Sequence, residues 1–167
     1  LGSGACVSAC PEGDILGLIN GRAALIHASR CVGHGQCAAA CPVGAITLVF
    51  GTARRGVDIP HVKGDFETNV PGIYIVGELG GMGLIRNAIR QGHQAVAGIA
   101  AQPAATGNAD LDLLIIGAGP AGIAASLTAL QHQLRFRTIE QEEPGGAMRH
   151  YPRQKLIMTE PMDIPLY

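Results

Sequence analysis

Leu111-Asp112-Leu113-Leu114-Ile115-Ile116-Gly117-Ala118-Gly119-Pro120-Ala121-Gly122 sets the fold of the second half of this 167-residue sequence. Residues 111–116 are nearly all apolar and read as a strand. Residues 123–131 read as a helix, and residues 135–139 as a second strand with Glu140 at its end. The three glycines have separate tasks. Gly117 permits a tight turn, Gly119 lets a pyrophosphate approach the backbone, and Gly122 lets the helix pack closely on the strand. The helix start at Pro120 and Ala121 turns unsatisfied N–H groups toward phosphates. Glu140, about 20 residues further on, is placed to accept hydrogen bonds from adenosine ribose hydroxyls, and an acid there disfavours a 2′-phosphate, hence NADP. A Gly-x-Gly-x-x-Gly run alone is weak. In the order strand, turn, helix, strand, acid it implies an α/β Rossmann-type unit that binds a dinucleotide. The motif does not choose between FAD and NAD.

The other informative feature lies at the opposite end. Five cysteines stand at Cys6, Cys10, Cys31, Cys37 and Cys41, and none follows. They form Cys6-x3-Cys10-Pro11 and Cys31-x5-Cys37-x3-Cys41-Pro42. An odd number clustered this tightly is poor arithmetic for disulfides. A shift of 31 residues aligns Gly2 with Gly33, Gly4 with Gly35, Cys6 with Cys37 and Ala9 with Ala40. It also aligns Cys10 with Cys41, Pro11 with Pro42, Gly13 with Gly44 and Ile15 with Ile46. The register places the counterpart of Cys31 just before Leu1, and a cysteine is expected there in the parent protein. Zinc would suit Cys31, His34, Cys37 and Cys41 by ligand type.

The duplicated Cys-Pro units resemble two-cluster bacterial ferredoxins, in which the last Cys of each run serves the other cluster. The resemblance implies an α+β module over residues 1–51 with two iron–sulfur clusters of 4Fe-4S or 3Fe-4S type. By the crossed rule one cluster uses Cys6, Cys41 and the expected preceding Cys, and the other uses Cys31, Cys37 and Cys10. The sequence departs from the family at the second Cys of each run, where Ser3 and His34 stand. Either residue ligates iron, or the corner is empty and the cluster holds three irons. Glycines at 2, 4, 33 and 35 let the loops wrap so that backbone N–H groups face the cluster sulfurs. Between the units, residues 15–19, Asn20-Gly21 and 23–27 read as a hairpin with a type I′ turn, and residues 46–50 as a further strand.

Beyond residue 51 the composition changes. Thr68-Asn-Val-Pro-Gly-Ile-Tyr-Ile-Val-Gly77-Glu78 contains a short apolar strand, 73–76, before a glycine-rich run and a helix pattern over 84–101. Ile85, Ala88, Ile89, Val96 and Ile99 recur on one side, with Arg86, Asn87, Arg90 and Gln94 on the other. The segment 52–101 resembles the last FAD-binding segment of thioredoxin-reductase-like flavoproteins, with Glu78 in place of the usual Asp. The resemblance implies that Gly77 and Glu78 contact the flavin's ribityl chain. Residues 102–110 read as a linker. In 111–167, Gly145-Gly146 resembles the second FAD-contact turn of flavoprotein reductases, which favours FAD over NAD there. The tail from His150 resembles bacillithiol-disulfide-reductase-like proteins.

Nearly the whole sequence thus resembles ferredoxin-fused, thioredoxin-reductase-like FAD/NAD(P) oxidoreductases. The order is unusual, because the last-type FAD segment precedes the first-type one. Either 52–101 closes another flavin module upstream, or it complements 111–167 in a permuted arrangement, which is the preferred reading. The chain is read as a piece of a longer enzyme that also binds NAD(P)H. Its electrons would pass between flavin and clusters and on to a redox partner protein or small-molecule acceptor. The competing readings are an electron-carrier ferredoxin with a non-catalytic remainder, and a zinc-stabilised binding module.

Composition supports these exclusions. Apolar residues are 47% and charged residues 15%, which excludes a disordered chain. Twelve basic against 13 acidic residues give a net charge of −1, without the basic excess that nucleic acid requires. Aromatic residues are 4% with no Trp, too few for a base-stacking platform. No apolar run is long enough to span a membrane. Free thiols and clusters imply a reducing compartment, so a cytoplasmic location is expected.

Overall fold

The computed structural model describes residues 2–48, 60–80, 84–103, 109–151 and 163–166. The chain divides into two compact units, Leu1–Ile75 and Val76–Tyr167. The division falls inside the stretch 52–101, which the sequence reading treats as one segment.

The first unit opens with the short helix α1 (Ala5–Ser8), the strands β1 (Leu16–Ile19) and β2 (Arg22–Leu25), and a second short helix, α2 (Gln36–Ala39). The two strands form an antiparallel hairpin with Ile19 opposite Arg22 and Leu16 opposite Leu25. The turn between them has Asn20 at φ 50° and Gly21 at φ 72°, the positive pair that a type I′ turn requires. Leu18, Ile19 and Leu25 on the hairpin are exposed, while Cys6, Ile15, Val32 and Phe66 are buried. That is little apolar burial for an independent domain, and small units of this kind depend on metal or covalent staples.

Two expected strands of this unit do not form. Residues 46–48 are irregular, and 49–50 lie outside the described residues. Residues 73–76 contribute a single bridge, Glu67 to Tyr74, beside another between Val62 and Thr68. The cause lies across the pairing. Phe66 adopts a left-handed backbone at φ 71°, which turns the partner segment away and stops a ladder from extending. The Phe66 carbonyl still accepts the Ile75 N–H at 3.0 Å, and Thr68 donates to the Ile73 carbonyl at 2.8 Å.

The second unit comprises the helix α3 (Ile85–Ala100), the strand β3 (Leu113–Ile116), the helix α4 (Pro120–Gln131) and the strand β4 (Phe136–Ile139). β3 and β4 are parallel, with Leu113 beside Phe136 and Ile116 beside Ile139. Ahead of the strands, Asp112 fixes their register. Its carboxylate accepts the Arg135 backbone N–H at 2.8 Å and the Arg135 guanidinium at 2.7 Å, which holds it below the usual carboxylate range. α4 begins at Pro120, the helix start that the glycine motif implies, three residues before the apolar run at 123. Proline suits a first helical position because its missing N–H has no intrahelical partner there. Val96, Ile115, Ala125 and Ala129 form the core, joined by Leu113, Leu134 and Phe136.

α3 spans the expected residues but buries a different face. Ala88, Ile89 and Val96 are buried as the period suggests. Asn87 and Gln91, the first assigned to the solvent side and the second to neither side, are buried too. The reason is the close approach of α4. A Cβ on Gly92 would stand 2.2 Å from the Ala121 carbonyl oxygen, so the backbones nearly touch and the buried stripe widens to neighbouring polar positions. Gly98, on the same helix, faces open space. Gly92→Ala is therefore expected to destabilise by ~1–3 kcal/mol through overpacking. Gly98→Ala is expected to stabilise by up to ~1 kcal/mol through helix propensity. Chemical denaturation of the two variants, with opposite signs, checks this.

Candidate cofactor sites

The internal repeat of the sequence is also a repeat of the backbone. Gly4 precedes α1 at φ 71° and ψ −4°, and Gly35 precedes α2 at φ 73° and ψ −5°. The hydrogen bonds match in turn. Val7 N–H to the Gly4 carbonyl at 2.9 Å pairs with Ala38 N–H to the Gly35 carbonyl at 3.0 Å. Gly13 N–H to the Cys10 carbonyl at 3.1 Å pairs with Gly44 N–H to the Cys41 carbonyl at 3.2 Å. Each left-handed glycine lets the loop reverse before a single helical turn, which carries Cys6 or Cys37. The next turn carries Cys10 or Cys41 out of the helix.

All five cysteines are free thiols. The Cys41 sulfur accepts the Ala45 N–H at 3.2 Å. Backbone amides from Val43 onward aim at it and hold its thiol below the usual cysteine value. Burial pushes the Cys37 thiol up, and the nearby Cys31 and Cys10 thiols push it the same way. Cys31 and Cys10, from both halves of the repeat, thus act electrostatically on Cys37.

Soft sulfur donors, amides aimed at sulfur and loops reversed by glycine fit iron–sulfur ligation. Among the described residues no three His, Cys, Asp or Glu side chains gather closely enough to hold a metal ion. Of the two substituted positions, Ser3 is exposed and its hydroxyl accepts the Ala5 N–H at 3.4 Å. His34 is half-buried with its ring against Phe66, at 5.7 Å between centroids.

In the second unit the glycine-rich turn takes the conformation its sequence implies. Gly117 is at φ 99°, and a Cβ on Gly122 would stand 1.9 Å from the Gly117 carbonyl oxygen. Among the described residues, a Cβ on Gly119 would meet no atom within 4 Å beyond its chain neighbours, so the space over this residue is open. Beside it lies the Gly145-Gly146 turn. The Gly145 N–H donates to the Ala118 carbonyl at 2.8 Å, and a Cβ on Gly146 would come within 3.3 Å of the Gly119 Cα. The two glycine turns form one wall. The open backbone at Gly119, at the start of α4, fits a dinucleotide pyrophosphate. The tail at 152–162 lies outside the described residues.

Glu140 has a task that the sequence did not disclose. One carboxylate oxygen accepts the Ala118 N–H at 2.5 Å, and the other accepts the Gln141 N–H at 2.8 Å and the Glu142 N–H at 3.2 Å. It ties the strand end to the glycine turn.

Gly77 and Glu78 also reach this wall. Gly77 is buried at φ 78°, and a Cβ there would stand 3.0 Å from the Ala121 Cβ. Its N–H donates to the Gln91 side-chain oxygen at 2.7 Å, a buried contact that sequence reasoning missed. The only signal was a polar residue between Ala88 and Ala95 on the small-residue face. Glu78 is exposed. The segment around 77 and the turn at 117–122 thus share one neighbourhood at the first turn of α4.

Residues 1–42 match the family model of a 4Fe-4S dicluster domain. Residues 114–164 match that of a pyridine nucleotide-disulphide oxidoreductase. Searches of curated proteins and of solved structures found no match. The chain therefore carries a 4Fe-4S dicluster domain followed by a pyridine nucleotide-disulphide oxidoreductase domain. Among the described residues no helix is long and apolar enough to cross a membrane.

The Glu140 contacts make a pH prediction. The Ala118 N–H, then the Glu142 and Gln141 amides, hold its carboxyl below the usual glutamate value. A lowered folded pKa means stability that is complete above the unfolded value of ~4.3 and is lost as pH falls through the folded one. Glu140→Gln puts an NH2 group against an N–H donor. Its unfolding midpoint should lie below that of the parent protein at pH 7, and the gap should close as pH falls below ~4. Thermal melts of both proteins across that range measure it.

Proposed function

We propose that this protein is an iron–sulfur flavoprotein oxidoreductase module. In this reading Cys6, Cys10, Cys31, Cys37 and Cys41 hold two clusters, and the second unit binds FAD. The observation that carries the flavin reading is the shared neighbourhood at Ala121. The last-type segment and the glycine-rich turn meet there, in one compact unit, despite their inverted order. This supports one composite site from permuted segments. Gly117, Gly119 and Gly122 would cradle the pyrophosphate at the start of α4. Glu140 would keep a lone pair for the ribose, and Glu78 would face the ribityl chain.

FAD, when bound, supplies the conversion between two-electron and one-electron transfer. The protein's own residues hold the two carriers and shield the reacting groups. Exchange of a hydride with NAD(P)H would involve a further domain of a longer protein. The onward acceptor would be a redox partner protein or a small molecule. Free thiols and clusters suit a reducing, cytoplasmic setting.

Iron, sulfide and flavin analysis of anaerobically reconstituted protein tests the reading. About eight irons per chain indicate two four-iron clusters, and about six indicate two three-iron clusters. Zinc without iron overturns the assignment. Gly119→Val, whose Cβ has open space among the described residues, should leave iron unchanged and cut retained FAD at least about tenfold. Equal FAD in the variant and the parent overturns the composite site.

A further inference from the structure

The stretch 62–75 folds onto the second cysteine loop of the first unit. A Cβ on Gly64 would stand 2.5 Å from the His34 carbonyl oxygen and 3.7 Å from the Gln36 side chain, so the two backbones are in close contact. Two residues on, the Phe66 ring lies 5.7 Å from the His34 ring at a tilt of 49°. Phe66 is 5% exposed and sits at φ 71°, a conformation that bulky residues rarely adopt.

Its neighbours hold it there. The Phe66 N–H donates to the Lys63 carbonyl at 3.0 Å, and its own carbonyl accepts the Ile75 N–H at 3.0 Å. The Glu67 carboxylate accepts Lys63 Nζ at 2.6 Å and the Gly72 N–H at 3.0 Å. A strained residue persists only where its surroundings over-determine it, and such residues gather where side-chain placement matters. What this one places is a ring against His34.

His34 occupies the repeat position where the family pattern has a cysteine. Its counterpart Ser3 is exposed, and its hydroxyl is engaged by the Ala5 N–H. The two corners are therefore unlike, and the described structure shows an aromatic buttress only at His34. By the crossed rule that the ferredoxin resemblance implies, the thiols belonging to this corner are Cys10, Cys31 and Cys37.

We propose that Phe66 is a positioning residue that fixes the His34 imidazole as the fourth ligand of the cluster held by Cys10, Cys31 and Cys37. This rests on the iron–sulfur reading above. A cluster bound there would take one imidazole nitrogen as its fourth ligand in place of a thiolate sulfur. A neutral imidazole in place of a thiolate leaves the cluster one charge less negative. Histidine ligation of this kind raises reduction potential relative to an all-cysteine set.

The test uses the full chain, reconstituted anaerobically and labelled with 15N-histidine, read by pulsed EPR and by redox titration. The parent protein should show one strongly coupled histidine nitrogen, absent in His34→Ala. Phe66→Leu keeps an apolar side chain of similar size but removes the ring. It should keep its iron and sulfide while that coupling weakens or splits into several values. Phe66→Tyr should restore the parent spectrum. His34→Cys should lower the potential, and adding Phe66→Leu to it should change nothing further. Intact clusters without a histidine coupling overturn the proposal alone, as does a Phe66→Leu spectrum identical to the parent's. Absence of iron and sulfide overturns the iron–sulfur reading and this one together.

Discussion

Backbone crowding around Ala121 decides where the parts of the second unit can stand. Gly92 of α3 approaches the Ala121 carbonyl, and Gly77 approaches the Ala121 Cβ. Neither position has room for a larger residue without displacement. The crossing of α3 over α4 follows from this contact, and with it the burial of Asn87 and Gln91 on a face that periodicity marks as mixed. Gln91 then accepts the Gly77 N–H, a donor that would otherwise be buried without an acceptor. The same contact carries Gly77 and Glu78 to the start of α4, beside the turn that Gly117 opens. One steric fact thus sets helix packing, buried polar satisfaction and the composition of the candidate flavin site.

The first unit works by duplication. Two loops of the same backbone conformation, each reversed by a left-handed glycine, present cysteines from a single helical turn and from two residues beyond it. Neither loop buries much apolar surface. Clusters bound by these cysteines would supply stability that a larger domain takes from its core, and would couple folding to cofactor loading. The stretch 62–75 adds a third element to this arrangement. Its hydrogen bonds are mostly internal, and it meets the cysteine loop through Gly64 and Phe66.

Much of this was legible along the chain. The hairpin at Asn20-Gly21, the spans of α3, β3 and β4, and the glycine-rich turn follow from short-range chemistry: positive φ, alternation, helical period. Three features were not legible. Phe66 carries no sequence sign of a left-handed backbone, because that conformation is imposed by hydrogen bonds to the Lys63 carbonyl and from the Ile75 N–H. The role of Glu140 in tying the turn depends on how near Ala118 comes once β3 and β4 are paired. Glu67 to Tyr74 is a single bridge rather than part of a strand because of a bend in its partner, not because of its own composition.

By itself the sequence determined the ligand chemistry and the local turns. Cysteine, glycine and proline act over a few residues, so their spacing carries their meaning. The tertiary structure alone decided which distant pieces meet. The Phe66 ring stands against His34, and the segment at Gly77 meets the first turn of α4 although it comes earlier in the chain. These pairings arise from excluded volume and hydrogen-bond closure between residues far apart in sequence, and neither leaves a local pattern to read.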